Sequence, residues 1–294
     1  MGGEAGVFCA ATEHAIRGFQ QARGLHADGV CDEHTWTALV EASWKLGDRA
    51  LLLTSPNLRG DDVADLQSRL ARLGFDCGRV DGIFGPRTSR ALVDFQSNCG
   101  VTGDGVCGAE TIRVIVRVSG QSGSGPGVGA VREREQLRHG FESMANCRVV
   151  VGQFGGLSGL TRALTRELRQ RGATVMPLDE PDAVAQAIAA NHFAADVYLG
   201  FQSHTEPSAV AHYYQVPTFE SVGGRELAEL VTEQLQSVPA LHPAVCGMRL
   251  PVLRETRMPA VLVTIGPVRV ATDATPQLAT AVLRALDLWI LREG

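Results

Sequence analysis

Few residues in this chain are of a type and spacing that could do chemistry. The stretch Leu250–Pro267, LPVLRETRMPAVLVTIGP, ends in the apolar run Ala260–Gly266, which has strand length and one polar side chain, Thr264. Thr264 falls where that strand ends, and in open α/β sheets sites are built beyond the carboxyl ends of strands. A threonine there can hydrogen-bond, but it supplies neither an ionised base nor an N, S or carboxylate donor for a metal. His192, His212 and His242 have no carboxylate at helical or cross-strand spacing, and Glu206 is the one acid close to His204. The seven cysteines, Cys9, Cys31, Cys77, Cys99, Cys107, Cys147 and Cys246, form no C-x-x-C pair. They indicate neither a zinc knuckle nor a disulfide framework, and read as reduced thiols of a cytosolic protein.

The elements that must position these residues alternate from Arg148 onward. Arg148–Phe154, Ala173–Leu178, Asp196–Ser203, His212–Val216 and Val261–Gly266 read as strands. Leu157–Arg171, Asp182–His192, Gly224–Gln236 and Pro276–Leu291 read as helices. Such alternation specifies a three-layer α/β domain with a largely parallel sheet.

The first half is a tandem repeat at a constant offset of 76 residues, which pairs Phe19-Gln20 with Phe95-Gln96 and Asp28-Gly-Val30 with Asp104-Gly-Val106. The complete copy reads as three helices. Asp61 or Asp62 caps the first, with Val63, Leu66, Leu70 and Leu73 inward and Gly74 as its stop; Thr88–Asn98 and Ala109–Val118 are the others. Asp81-Gly-Ile-Phe-Gly-Pro86 and Asp104-Gly-Val106 are turn chemistry. At helical spacing Phe84, Leu92 and Phe95 read as core, and Asp81, Gly82 and Gly85 as turn formers. The counterpart of the first helix in the earlier copy would fall before Met1, so that copy reads as N-terminally incomplete, and Trp44 is expected to pack between the copies. Ser119–Gly129, SGQSGSGPGVG, reads as a flexible hinge and Val131–Arg138 as a solvated charged segment.

Composition narrows the classes. The apolar fraction is 45%, the charged fraction 20% and the net charge −5, so nothing supplies the basic stripe of a nucleic-acid binder. No run of about 18 apolar residues marks a transmembrane helix, and Met1–Ala10 lacks the pattern of a signal peptide.

The segments DLQSRLARLGF, VDGIFGPRTSRALVDFQ and GVTGDGVCGAET resemble the small three-helix peptidoglycan-binding module of bacterial cell-wall enzymes. The resemblance implies binding of peptidoglycan and carries the role to Asp81, Gly82, Phe84, Gly85, Thr88, Phe95, Gln96 and Asp104. The segments VVVGQFGG (149–156), AIAANHFAADVYLGFQSH (187–204) and RLPVLRETRMPAVLVTIGP (249–267) resemble the zinc-dependent N-acetylmuramoyl-L-alanine amidases. In that family two histidines and a glutamate hold zinc, and a second glutamate acts as general base. Position by position, Phe154 replaces the first histidine, Gln202 the second, and Thr264 the base. The ligand glutamate has no counterpart, because Gly155–Gly159 runs straight into a helix.

The expected organisation is therefore an incomplete module over residues 1–45, a complete module over 58–118, a linker over 119–146 and an amidase-like domain over 147–294. This order is similar to that of a family of actinobacterial amidase-like proteins with paired peptidoglycan-binding modules and a degenerate catalytic domain. That resemblance implies a cytoplasmic, membrane-proximal pseudoenzyme without metal or cofactor. It would bind peptidoglycan or its lipid-linked precursor and regulate wall synthesis, with the enolpyruvyl transferase MurA as a partner. In that family kinase control acts through a C-terminal tail, for which the residues after Leu291 offer no counterpart. The competing expectation is an active amidase with relocated zinc ligands, for which His204, on the strand face of Gln202, is the nearest candidate.

Overall fold

The computed structural model describes residues 6–119, 143–217, 219–239 and 241–291, with positions 128 and 131 in addition. The hinge and the charged segment expected after the second module fall, apart from Ser119 and those two positions, outside the described residues. The chain divides into two units, residues 1–132 with 217–219 and residues 133–216 with 220–294.

The first unit is helical: α1 (Ala10–Arg23), α2 (Glu33–Ser43), α3 (Asp61–Arg72), α4 (Pro86–Asn98) and α5 (Ala109–Ser119). In the complete copy Val63, Leu66 and Leu70 of α3 close on Phe84, Leu92, Phe95 and Ile115, all buried, and the Phe75 and Phe95 rings meet edge to face at 5.5 Å. The N-cap of α3 is Gly60, which corrects the expectation of Asp61 or Asp62. Both acids sit in the first turn, where they oppose the helix dipole and are held by arginines. Asp61 pairs with Arg23 at 2.6 Å and the buried Asp62 with Arg49 at 2.7 Å. The Arg49 guanidinium, which holds Asp62, also lies 4.3 Å from the centre of the Trp44 ring. In the earlier copy, residues 6–45 supply α1 and α2, and Phe8, the equivalent of the buried Phe84, is 60% exposed.

The second unit is a three-layer α/β domain. Its elements run β1 (Arg148–Gln153), α6 (Ser158–Gln170), β2 (Thr174–Asp179), α7 (Ala183–His192), β3 (Val197–Ser203), β4 (Ala209–Val216), β5 (Phe219–Glu220), α8 (Val222–Leu235), β6 (Pro243–Met248), α9 (Pro251–Glu255), β7 (Ala260–Ile265), α10 (Val268–Asp273) and α11 (Thr275–Ile290). The sheet order is β2-β1-β3-β7-β4-β5, with β6 paired to β4 off that path. The pairs β1–β2, β1–β3, β3–β7 and β4–β6 are parallel, and β4–β7 is antiparallel. β7 is thus the central strand its apolar run implies.

Helices α6, α8 and α11 bury Leu160, Leu164, Leu227, Val231, Leu278 and Trp289 against one face, which carries Val149, Val151, Phe201, Val261 and Val263. The other face receives α7 and α9. Gly152 and Gly200 leave room there: a Cβ at Gly152 would collide with Gln186 and Tyr198, and one at Gly200 with Tyr198 and Leu262. Tyr198 donates to Gln186 Oε1 at 2.7 Å, and Gln186 Nε2 donates to the Gln153 and Glu180 carbonyls.

Four of these elements were not expected from sequence: the two-residue β5, β6, whose PAVCGM lacks alternation, and the short helices α9 and α10. β4 begins at Ala209, three residues before the expected His212.

Candidate functional site

The carboxyl ends of β1, β3 and β7 and the facing start of β4 converge on one patch. Gln202 and Thr264 are register partners across β3 and β7, and Thr264 is opposite Val210 on β4. Alternation then places Gln202, Leu262, Thr264, Val210 and His212 on one face of the sheet. Phe154 follows β1, its N–H donating to the Phe201 carbonyl at 2.9 Å. Phe154, Thr264 and His212 are half-buried and Gln202 is exposed. The three positions taken from sequence are therefore neighbours at one site.

What they form is a hydrogen-bonding patch without a carboxylate. His212 Nε2 lies 3.1 Å from Thr264 Oγ1, whose hydroxyl also reaches the Val210 carbonyl at 3.4 Å. His204 turns into its own loop: Glu206 N–H donates to Nδ1 at 3.1 Å, and Nε2 lies 3.3 Å from Ser208 Oγ. Gly266 lets this loop close over the strand end, since an added Cβ would come within 2.5 Å of the His204 and Glu206 carbonyl oxygens. Zinc requires three or four imidazole, thiolate or carboxylate donors at one point. Phe154, Gln202, Thr264 and His212 offer one imidazole, and among the described residues no group of three or more His, Cys, Asp or Glu converges. The residues at this place do not fit the metal.

His212 escaped the sequence reading because its neighbour is set by strand order. The five-residue strand read from His212 gave no sign that β4 runs antiparallel beside β7.

The module residues are placed by a second feature that the repeat hid. Gln67 Nε2 lies within 2.9–3.1 Å of Asp81 Oδ1, the Ile83 carbonyl and Thr88 Oγ1, and Gln67 Oε1 accepts the Asp81 and Gly82 N–H groups. Gln96 does the same with Asp104, Val106, Thr111 and Gly105, and Gln20 with Asp28, Val30, Thr35 and Gly29. In each case the aspartate also accepts the N–H two residues on, an Asx turn. Of the residues carried over as peptidoglycan-binding, Phe84 and Phe95 are core, and Thr88 and Gln96 are buried in these hydrogen bonds. Asp81, Gly82 and Asp104 form the turns that the glutamines hold, and Gly85 is the N-cap of α4. The sequence signal was present: Asp-Gly-aliphatic with threonine seven residues after the aspartate occurs at 28, 81 and 104.

Burial pushes the thiols of Cys77, Cys107 and Cys147 up to about 12, and nearby aspartates add to this at Cys77 and Cys147. The Thr12 hydroxyl lowers that of Cys9. No helix among the described residues is long and apolar enough to cross a membrane.

Comparison with known proteins gives the following. The putative peptidoglycan binding domain matches residues 1–39 and 59–115. N-acetylmuramoyl-L-alanine amidase CwlM of Mycobacterium tuberculosis is 33% identical over 322 aligned positions, covering 95% of this chain and 79% of its own length. A probable N-acetylmuramoyl-L-alanine amidase of Bacillus licheniformis is 32% identical over 115 residues, 34% of this chain and 32% of its own. Among solved structures, the amidase Ami1 of Mycobacterium smegmatis aligns with 51% of this chain and 99% of its own at 13% identity and a TM-score of 0.42.

Proposed function

The chain belongs to the N-acetylmuramoyl-L-alanine amidase family that includes CwlM, and we propose that it is a non-catalytic member that binds peptidoglycan or its lipid-linked precursor and regulates wall synthesis. The observation that carries this reading is the Thr264–His212 pair. Where the family places a general base, this chain has a hydroxyl hydrogen-bonded to an imidazole. Amide hydrolysis by this family's chemistry requires a polarised water and a base to take its proton. Threonine at position 264, glutamine at 202 and phenylalanine at 154 provide neither.

The peptidoglycan-binding modules supply the ligand side of the proposal. As the cores and turns consume Phe84, Thr88, Phe95 and Gln96, recognition falls to the module surface that these residues support. A cytoplasmic location and a partner in precursor synthesis, such as the MurA transferase, belong to the same proposal. Cys77, Cys107 and Cys147, each unpaired and buried, support a reducing compartment.

Zinc content measured by elemental analysis, together with a muropeptide hydrolysis assay and sedimentation with sacculi on the same preparation, tests this. Binding without turnover or stoichiometric zinc is expected. Turnover with one zinc per chain overturns it in favour of an amidase with relocated ligands.

A further inference from the structure

We propose that the groove between α6 and the edge strand β2 is a binding site for a diphosphate-bearing anion. It invokes neither the modules nor the Thr264 patch, so it stands apart from the reading above. The groove has a volume of about 580 Å³ and is lined by Thr161, Arg162, Thr165, Arg166, Arg169 and Pro177, among others. Arg162, Arg166 and Arg169 follow helical spacing and so project along one side of α6. The groove lies against the α6 face of the sheet, whereas Gln202 and Thr264 point to the other.

Two observations point to an anion. The first is charge left without a counterpart. Arg162 donates through Nε to the Ser158 carbonyl at 3.0 Å and Arg169 to the Val175 carbonyl at 3.1 Å. Arg166 has Glu167 at 3.4 Å, both of them substantially exposed, and among the described residues that is the one carboxylate the three guanidiniums reach. Elsewhere arginines sit on acids at much closer range, as Arg49 does on Asp62 at 2.7 Å and Arg225 on Glu229 at 2.8 Å. In a chain of net charge −5, three such cations in one groove form a local positive field. The second observation is Thr165. It is 7% exposed, lines the groove, and its hydroxyl oxygen is buried with no hydrogen-bond partner among the described residues. Buried hydroxyls are nearly always satisfied, and one left open beside three guanidiniums fits a site whose ligand completes it.

The number of forks selects the ligand. A carboxylate engages one guanidinium, whereas two linked phosphoryl groups offer enough oxygens for three guanidiniums and a hydroxyl. A nucleoside diphosphate and a polyprenyl diphosphate headgroup share this chemistry.

Titration calorimetry of the full chain with inorganic pyrophosphate at low salt is the test, with citrate as the carboxylate control. One site with a Kd of about 0.1–1 mM is expected. Combining Arg162→Gln with Arg166→Gln should weaken it about 10-fold or more, consistent with loss of charge-assisted bonds. Thr165→Val, which keeps the shape, should weaken it about threefold without lowering the melting temperature. No saturation by about 10 mM pyrophosphate, an unchanged Kd in the double variant, or equal affinity for citrate overturns the proposal. Uridine diphosphate and phosphatidylcholine vesicles carrying a polyprenyl diphosphate separate the two sources. Binding of either supports the site and names its source, and binding of neither overturns it.

Discussion

His212 Nε2 and Thr264 Oγ1 lie 3.1 Å apart across the antiparallel pair β4–β7. The one polar side chain of the central strand is thus engaged by a side chain of the adjacent strand, on the same face of the sheet. The threonine here ties two neighbouring strands together.

Thr264→Val should therefore cost about 1 kcal/mol in urea denaturation, the usual worth of a part-buried hydrogen bond, while Thr264→Ser should stay close to the parent. Equal stability of all three proteins would show that the pair contributes nothing.

The central strand, the helix alternation and the repeat were legible because each writes a period into the chain. Ala260–Ile265 is apolar on both faces, and α3 repeats Val63, Leu66 and Leu70 at helical spacing. β6 carries no such period, since its residues are largely exposed and include Pro243 and Gly247. The meeting of His212 with Thr264 depends on which strand lies beside β7, a property of topology that no local pattern encodes. Gln20 and Gln96 mark the repeat in the sequence, but the turn aspartates that Gln96 and Gln67 hold lie 8 and 14 residues away and meet them only in the folded backbone.

Metal removal follows from the donor set. Dialysis against a chelator should leave the melting temperature unchanged, because a tightly bound ligand stabilises by mass action and its loss would register. A marked fall on chelation, restored by zinc, would mean that the chain holds a structural or catalytic ion after all.

The glutamine pins make the second module depend on single amides. Gln67→Leu removes an acceptor for two backbone N–H groups and a donor for three oxygens, so it should destabilise that module by roughly 2–3 kcal/mol. Circular dichroism during urea unfolding reads this, and a loss under about 0.5 kcal/mol would refute the role.

Thiol chemistry separates the cysteines by environment. With a disulfide reagent near neutral pH, Cys9 should label first, because its lowered pKa raises its thiolate fraction. The exposed Cys31 and Cys99 should also label, and Cys246, whose pKa partial burial raises, more slowly. Cys77, Cys107 and Cys147 should remain silent until the chain is unfolded. Mass spectrometry of the labelled native protein checks the order, and early labelling of any buried thiol would contradict the packing.

Acid should loosen the modules through their Asx turns. The Val106 N–H, and after it the Gln96 amide, hold the Asp104 carboxyl below its ordinary value near 3.8; at Asp28 the Val30 N–H does the same, with Gln20 and His26 adding to it. A group with a depressed folded pKa stabilises the fold above its unfolded pKa. As pH falls the unfolded chain takes up the proton first, so that stabilisation is lost as pH drops through the folded value. The melting temperature should therefore decline more steeply between about pH 5 and about pH 3 in the parent than in Asp104→Asn, which keeps an acceptor oxygen but cannot ionise. Parallel curves for the two proteins would remove Asp104 from the account of acid sensitivity, leaving the Gln96 amide as the group that holds the turn.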